Sequence, residues 1–112
     1  MEDRKEIIID RKTKGIIVLA KGAGHNNNWL LLIKKVVPED YCGNMDLMIY
    51  THVSYCKSDG RTNVIDSPRW GTVKNMGFRF YMPTEKEIKQ IKNLLAIHGY
   101  KFIKPLNKVK KL

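Results

Sequence analysis

Apolar positions recur along this chain in three rhythms, and each rhythm predicts its own kind of element. Residues 16–19 and 30–33 are unbroken apolar runs of strand length, the pattern of strands covered on both faces. Residues 45–55 alternate instead. Leu47, Ile49, Thr51, Val53 and Tyr55 fall on one side, and Met48, Tyr50, His52 and Ser54 on the other. Phe78, Phe80 and Met82 alternate in the same way with Arg79 and Tyr81, which is the period of a strand. After Pro83 the period lengthens. Ile88, Ile91, Leu94 and Leu95 follow helical spacing behind Thr84 and Glu87, which read as a capping box. Gly99 stands where a left-handed C-cap belongs, so one helix is predicted over about 85–98.

Turn residues complete the order. Segments 6–12 and 15–21 predict a β-hairpin turning at Thr13-Lys14-Gly15. Residues 22–28 are a loop by composition, and 29–37 a third strand stopped by Pro38. A turn over 39–44 leads into the fourth strand at 45–55, and residues 57–61 form a strong turn signal. The fifth strand is 77–82, and 100–104 a short last one. The predicted fold is therefore α+β: a curved, mostly antiparallel sheet of five to seven strands with one amphipathic helix near the C-terminus. One helix covers one face of a sheet. The doubly apolar strands thus require the sheet to curl toward a partly open barrel, or a second copy of the chain to cover them. Residues 1–104 are expected to be one compact domain and 105–112 a basic, frayed tail.

Charge changes this picture most at the C-terminal end. The chain has 21 Lys and Arg against 11 Asp and Glu, a net charge of +10. Eight of those cations and one acid lie in the last 27 residues. Lys86, Lys89 and Lys92 recur every third position along the predicted helix, and Lys101, Lys104 and Lys108 follow them. Ammonium groups in such an array suit phosphate, with little geometric selectivity. The same array also serves as a solvated helix face.

Aromatic and arginine side chains supply the second set of candidates. Tyr50 and His52 would share a face with Arg79 and Tyr81 if the fourth and fifth strands paired in the right register, and bases stack on such planes. The connection 56–76 carries Arg61, Arg69 and Trp70, and long connections of this kind often hold binding residues. Each set has a purely structural alternative, in which the aromatics plug the core and the arginines are solvated.

Catalytic chemistry finds little support. His52-Val53-Ser54 is half of a paired His-x-Ser pattern whose second copy is missing, because His25 and His98 stand in other contexts. Glu87-Ile88-Lys89 has a Glu-x-Lys form but falls on the predicted helix. Gly22-Ala23-Gly24-His25 leads into a strand, whereas a phosphate loop opens a helix. Neither Cys42 nor Cys56 belongs to a CxxC pair, and no histidine shows metal-ligand spacing. No cofactor or metal is expected. The charged start and the short apolar runs predict a cytoplasmic protein with no membrane segment.

The leading expectation is a small basic, non-enzymatic protein that binds nucleic acid or a phosphate-rich nucleotide. The lysines would supply attraction, and Tyr50, His52, Arg61, Arg69, Trp70, Arg79 and Tyr81 stacking and selectivity. The alternative is a small inhibitor or adaptor of the phage or mobile-element type, docking on a host protein or nucleoprotein complex. A nucleotide pocket at a homodimer interface is a third option.

Overall fold

The computed structural model describes residues 4–22, 27–66 and 68–112. Strands β1 (Glu6–Ile7), β2 (Ile17–Lys21), β3 (Asn28–Tyr41), β4 (Asn44–Cys56), β5 (Thr62–Val64), β6 (Arg69–Thr72) and β7 (Arg79–Tyr81) form one sheet. Its order is β1-β7-β2-β3-β4-β5, and β6 also pairs with β4. Helix α1 (Glu85–Ile97) follows, then β8 (Tyr100–Ile103), a 3-10 turn (Lys104–Leu106) and β9 (Lys108–Lys111). The fold is the α+β class that the periodicity predicts. Every pairing is antiparallel, and the sheet stays open instead of closing into a barrel. No helix among the described residues is long and apolar enough to cross a membrane.

The β3–β4 hairpin is the frame of the molecule. It turns at Cys42-Gly43, whose φ angles of 54° and 84° are the positive pair that a two-residue hairpin turn demands. Pro38 does not end β3. Past Leu32 the strand has lost β2 as a partner, and proline is tolerated on such an edge. The ladder carries two bulges. His52 is extra on β4 between the pairs Leu32↔Val53 and Ile33↔Thr51, and Lys34 is extra on β3 between Ile33↔Thr51 and Lys35↔Tyr50. Each bulge shifts the facing of its strand by one residue. Because Lys34 is extra on β3, Ile33 and Val36, an odd number of residues apart, end up in the same apolar cluster.

The doubly apolar strands are covered on both sides from within the chain. On one face Val18, Ala20, Leu31 and Ile33 pack with Ile49, Phe78 and Phe80, and Trp29 and Trp70 close over them. On the other, Leu19, Leu30, Leu32 and Val53 meet Ile91 and Leu95 of α1, with Phe102 and Val109 of the C-terminal hairpin beside them.

The helix begins where its sequence says. The Thr84 hydroxyl accepts from the Glu87 amide, and the Glu87 carboxylate accepts from the Thr84 amide. Glu87 is only 3% exposed, and it also accepts from Arg4 at 2.6 Å and from Lys57 at 2.5 Å. Burial pushes its carboxyl up, but the Arg4 and Lys57 donors and the Thr84 amide outweigh that and hold it at about 2. One carboxylate thus ties the helix N-terminus to the N-terminal segment and to the residue after β4. Gly99 closes the other end at φ 83°.

Three local expectations are corrected. The 6–12/15–21 hairpin does not form, because β7 occupies the free edge of β2 and β1 pairs with β7. Residues 10–13 make a tight turn instead: the Lys12 amide donates to Asp10 Oδ1 at 2.8 Å and the Thr13 amide to the Asp10 carbonyl at 3.1 Å. The connection 56–76, expected to hold little regular structure beyond a short strand at 64–66, contributes two strands, since the long edge of β4 pairs with both β5 and β6. The segment 105–112 is not a frayed tail. Asn107, at φ 48° and ψ 48°, turns the chain so that β9 pairs with β8, and Val109 reaches the core.

Candidate functional site

The structure sorts the predicted site residues into three places. Tyr50 and His52 lie on β4, while Arg79 and Tyr81 lie on β7, with β2 and β3 between them. They therefore form no common platform, and each has a local partner. The Tyr50 hydroxyl donates to Glu39 at 2.8 Å, and this hydrogen bond raises its pKa. Lys35 sits over its ring at 4.8 Å. His52 is buried against Phe102, with 5.6 Å between ring centroids. Arg79 pairs with Glu6 at 2.8 Å, and Lys21 lies 5.7 Å from the Tyr81 ring.

The lysines form the second group. Lys86, Lys89 and Lys92 are exposed on α1, and Lys101, Lys104 and Lys108 on the C-terminal hairpin and its turn. None of them enters an ion pair among the described residues. They make a basic layer, because Ile91, Leu95, Phe102 and Val109 turn the opposite sides of the same elements onto the sheet. Lys101 and Lys110 are even directly opposed across β8 and β9, an unfavourable like-charge pairing.

The third group converges. Arg61, Arg69 and Trp70 line a cleft of about 380 Å³ together with Trp29, Asn63 and Met76. This cleft is on the Trp face of the sheet, away from the lysine layer. Its aromatic wall is continuous. Trp29 and Trp70 meet edge to face at 6.0 Å, and Trp70 leans on Phe78 at 4.7 Å. The Trp29 indole N–H donates to Asn27 Oδ1 at 2.9 Å, which fixes the ring. The Arg61 guanidinium lies 5.2 Å from the Trp29 ring, within cation–π range.

Both arginines remain accessible, Arg61 at 68% and Arg69 at 58% exposure, and each is held by one acid: Asp59 at 2.6 Å and Glu39 at 2.9 Å. The far wall is fixed by Asp46, which is 3% exposed and accepts from the amides of Leu47, Lys74 and Asn75. Burial raises its pKa, but the three amides outweigh burial and lower it. Asp46 thereby anchors the turn that delivers Met76 and Phe78. Gly71 has no Cβ to compete with the Met76 side chain lying over it.

Arg61, Arg69 and Trp70, with Asn63 in the same connection, were legible in the sequence; Trp29, Asn27 and Ser54 were not as parts of this cleft. Trp29 opens an apolar run and reads as core. What signals it is the neighbouring Asn27, a polar partner able to orient an indole at a surface. The Glu87-Ile88-Lys89 motif is spent on helix capping and ion pairing. His52 is buried, and His25, with Ala23 and Gly24 of the glycine loop, lies outside the described residues. Cys42 and Cys56 are free thiols, the first exposed and the second buried. Among the described residues no three His, Cys, Asp or Glu side chains gather as metal ligands would. Comparison with protein-family models, with curated proteins and with solved structures finds no match for this chain.

Proposed function

We propose that the protein binds nucleic acid or a phosphate-rich nucleotide, without chemistry on it, in the cleft lined by Trp29 and Trp70. One observation carries this reading: two accessible guanidiniums flank two indoles in a pocket that also presents Asn63 and Ser54. Indole faces stack with bases, each stack contributing roughly 1–3 kcal/mol. Arginine forks donate paired N–H groups to phosphate oxygens, and carboxamide and hydroxyl groups suit the edges of a base. The cleft volume, about 380 Å³, is in the range of small-ligand sites. The basic layer on the other face adds long-range attraction for a polyanion.

Quenching of tryptophan fluorescence tests this. Short single-stranded oligonucleotides and nucleoside triphosphates should quench saturably in the unaltered protein. Joint Arg61→Glu and Arg69→Glu changes, both at exposed positions, should abolish quenching without lowering the melting temperature appreciably. If the quench survives them, or if no nucleotide quenches, the cleft is not a nucleotide site. Trp and Arg concentrated in one pocket would then suit a hot spot for a protein partner.

A further inference from the structure

A second, chemically different cavity lies on the opposite side of the sheet. It is a cleft of about 640 Å³ between α1, the C-terminal hairpin and the start of β2. Its floor consists of Ile17, Leu32, Ile91 and Leu95, of which the last three are at most 1% exposed. Ile88 and Phe102 form its sides. The cleft therefore reaches into the second apolar cluster and does not merely crease the surface. Lys92, Lys101 and Lys104 also line it, and no Asp or Glu does among the described residues.

Deep apolar walls with cations beside them specify an occupant with two ends. A nucleic acid would satisfy the lysines but would leave the apolar walls wet. A neutral apolar molecule would satisfy the walls and leave the ammonium groups without partners. A docked protein helix would bury a long, shallow stripe, whereas this cleft has the volume of a small-ligand site and a buried floor. We infer that the cleft takes a single-chain amphiphile with an anionic head group, of the long-chain carboxylate type. The chain lies over Leu32, Ile91 and Leu95, and the head group lies against Lys92, Lys101 and Lys104. This inference is independent of the nucleotide reading, since the two clefts share no residue.

Calorimetric titration with dodecanoate, dodecyltrimethylammonium and dodecyl maltoside, each below its critical micelle concentration, tests it. Dodecanoate should bind saturably and about tenfold tighter than either other amphiphile, the worth of one or two charge-assisted contacts. A Lys92→Glu and Lys104→Glu double variant should erase that preference while still admitting the neutral amphiphile. Ala96→Trp, at an exposed helix position lining the cleft, should block all three. Joint Arg61→Glu and Arg69→Glu changes should leave dodecanoate binding unchanged, which separates this cleft from the other one. Equal binding of the three amphiphiles, or dodecanoate binding indifferent to Ala96→Trp, would overturn the inference. So would an acidic amphipathic peptide that displaces dodecanoate at lower concentration, which would assign the cleft to a protein partner.

Discussion

The Nε2–H of His52 donates to Oδ1 of Asn107 at 3.0 Å, and the same Asn107 donates its Nδ2–H to the carbonyl of Lys34 at 2.8 Å. Because the carboxamide gives its N–H to Lys34, its oxygen must accept from His52, which fixes the imidazole tautomer. Asn107 therefore joins the two bulged residues of the β3–β4 ladder to the turn of the C-terminal hairpin, 55 residues from His52 in sequence.

Removing that link should loosen the hairpin. Asn107→Ala loses both hydrogen bonds and also places a Cβ-bearing residue without local side-chain support at φ 48°. We expect a loss of about 2 kcal/mol in denaturant unfolding, with faster hydrogen exchange of the β9 amides. Asn107→Gly should recover the backbone part alone.

The same pair predicts a response to pH. Burial lowers the pKa of His52 below 6.5 and Lys34 adds to this, against the hydrogen bond to Asn107. Below 6.5 the unfolded chain takes up the proton more readily than the folded one, so stability is full above that value and falls as the pH drops beneath it. Melting curves at pH 7.5 and 5.5 should differ, and His52→Asn should flatten the difference.

Glu87 titrates lower. Its folded value of about 2 is beneath the ordinary 4.5. The stability it contributes is therefore complete above 4.5 and is lost as the pH falls toward 2. That contribution is roughly 3 kcal/mol. Glu87→Gln should remove it at neutral pH, because Arg4 and Lys57 lose their shared anion. The acid limb of the stability profile should flatten, as followed by circular dichroism against pH.

The separation of the arginines from the lysine layer predicts a shallow salt dependence. A ligand neutralised by Arg61 and Arg69 alone should give a slope of about −1.4 for log affinity against log salt. A strand that also ran onto the lysines would give a slope of about −4 or steeper. Measuring oligonucleotide affinity at several salt concentrations distinguishes the two.

Much of the fold was legible because its signals are local. The capping box at Thr84 and Glu87 and the spacing of Ile88, Ile91 and Leu95 mark the helix without reference to anything distant. The two-sided apolar runs foretell strands covered on both faces. What was not legible is pairing. Nothing near residues 6–21 says that β7 will occupy the edge of β2, because that contact is settled by Phe80 and Tyr81 some 60 residues away. The same non-locality dissolved the Tyr50–Arg79 platform. At the cleft, Arg69-Trp70 stood out because an arginine beside a tryptophan in a long connection is the composition of a binding hot spot, although Trp70 also packs on the core. Trp29 was hidden by the leucines that follow it.

The two extra residues, Lys34 on one arm and His52 on the other, mark where the long hairpin can change length. Deleting Lys34 alone would bring Lys35 directly after Ile33, so that Ile33, Lys35 and Val36 alternate with the facings they already have. Deleting His52 alone would do the same for Val53, Thr51, Tyr50 and Ile49, at the cost of the seam to Asn107. Deleting a residue between regular pairs, such as Val37, would instead turn a stretch of its arm over. Changes of one residue in this hairpin should thus be absorbed at the two bulges and be disruptive within the regular stretches.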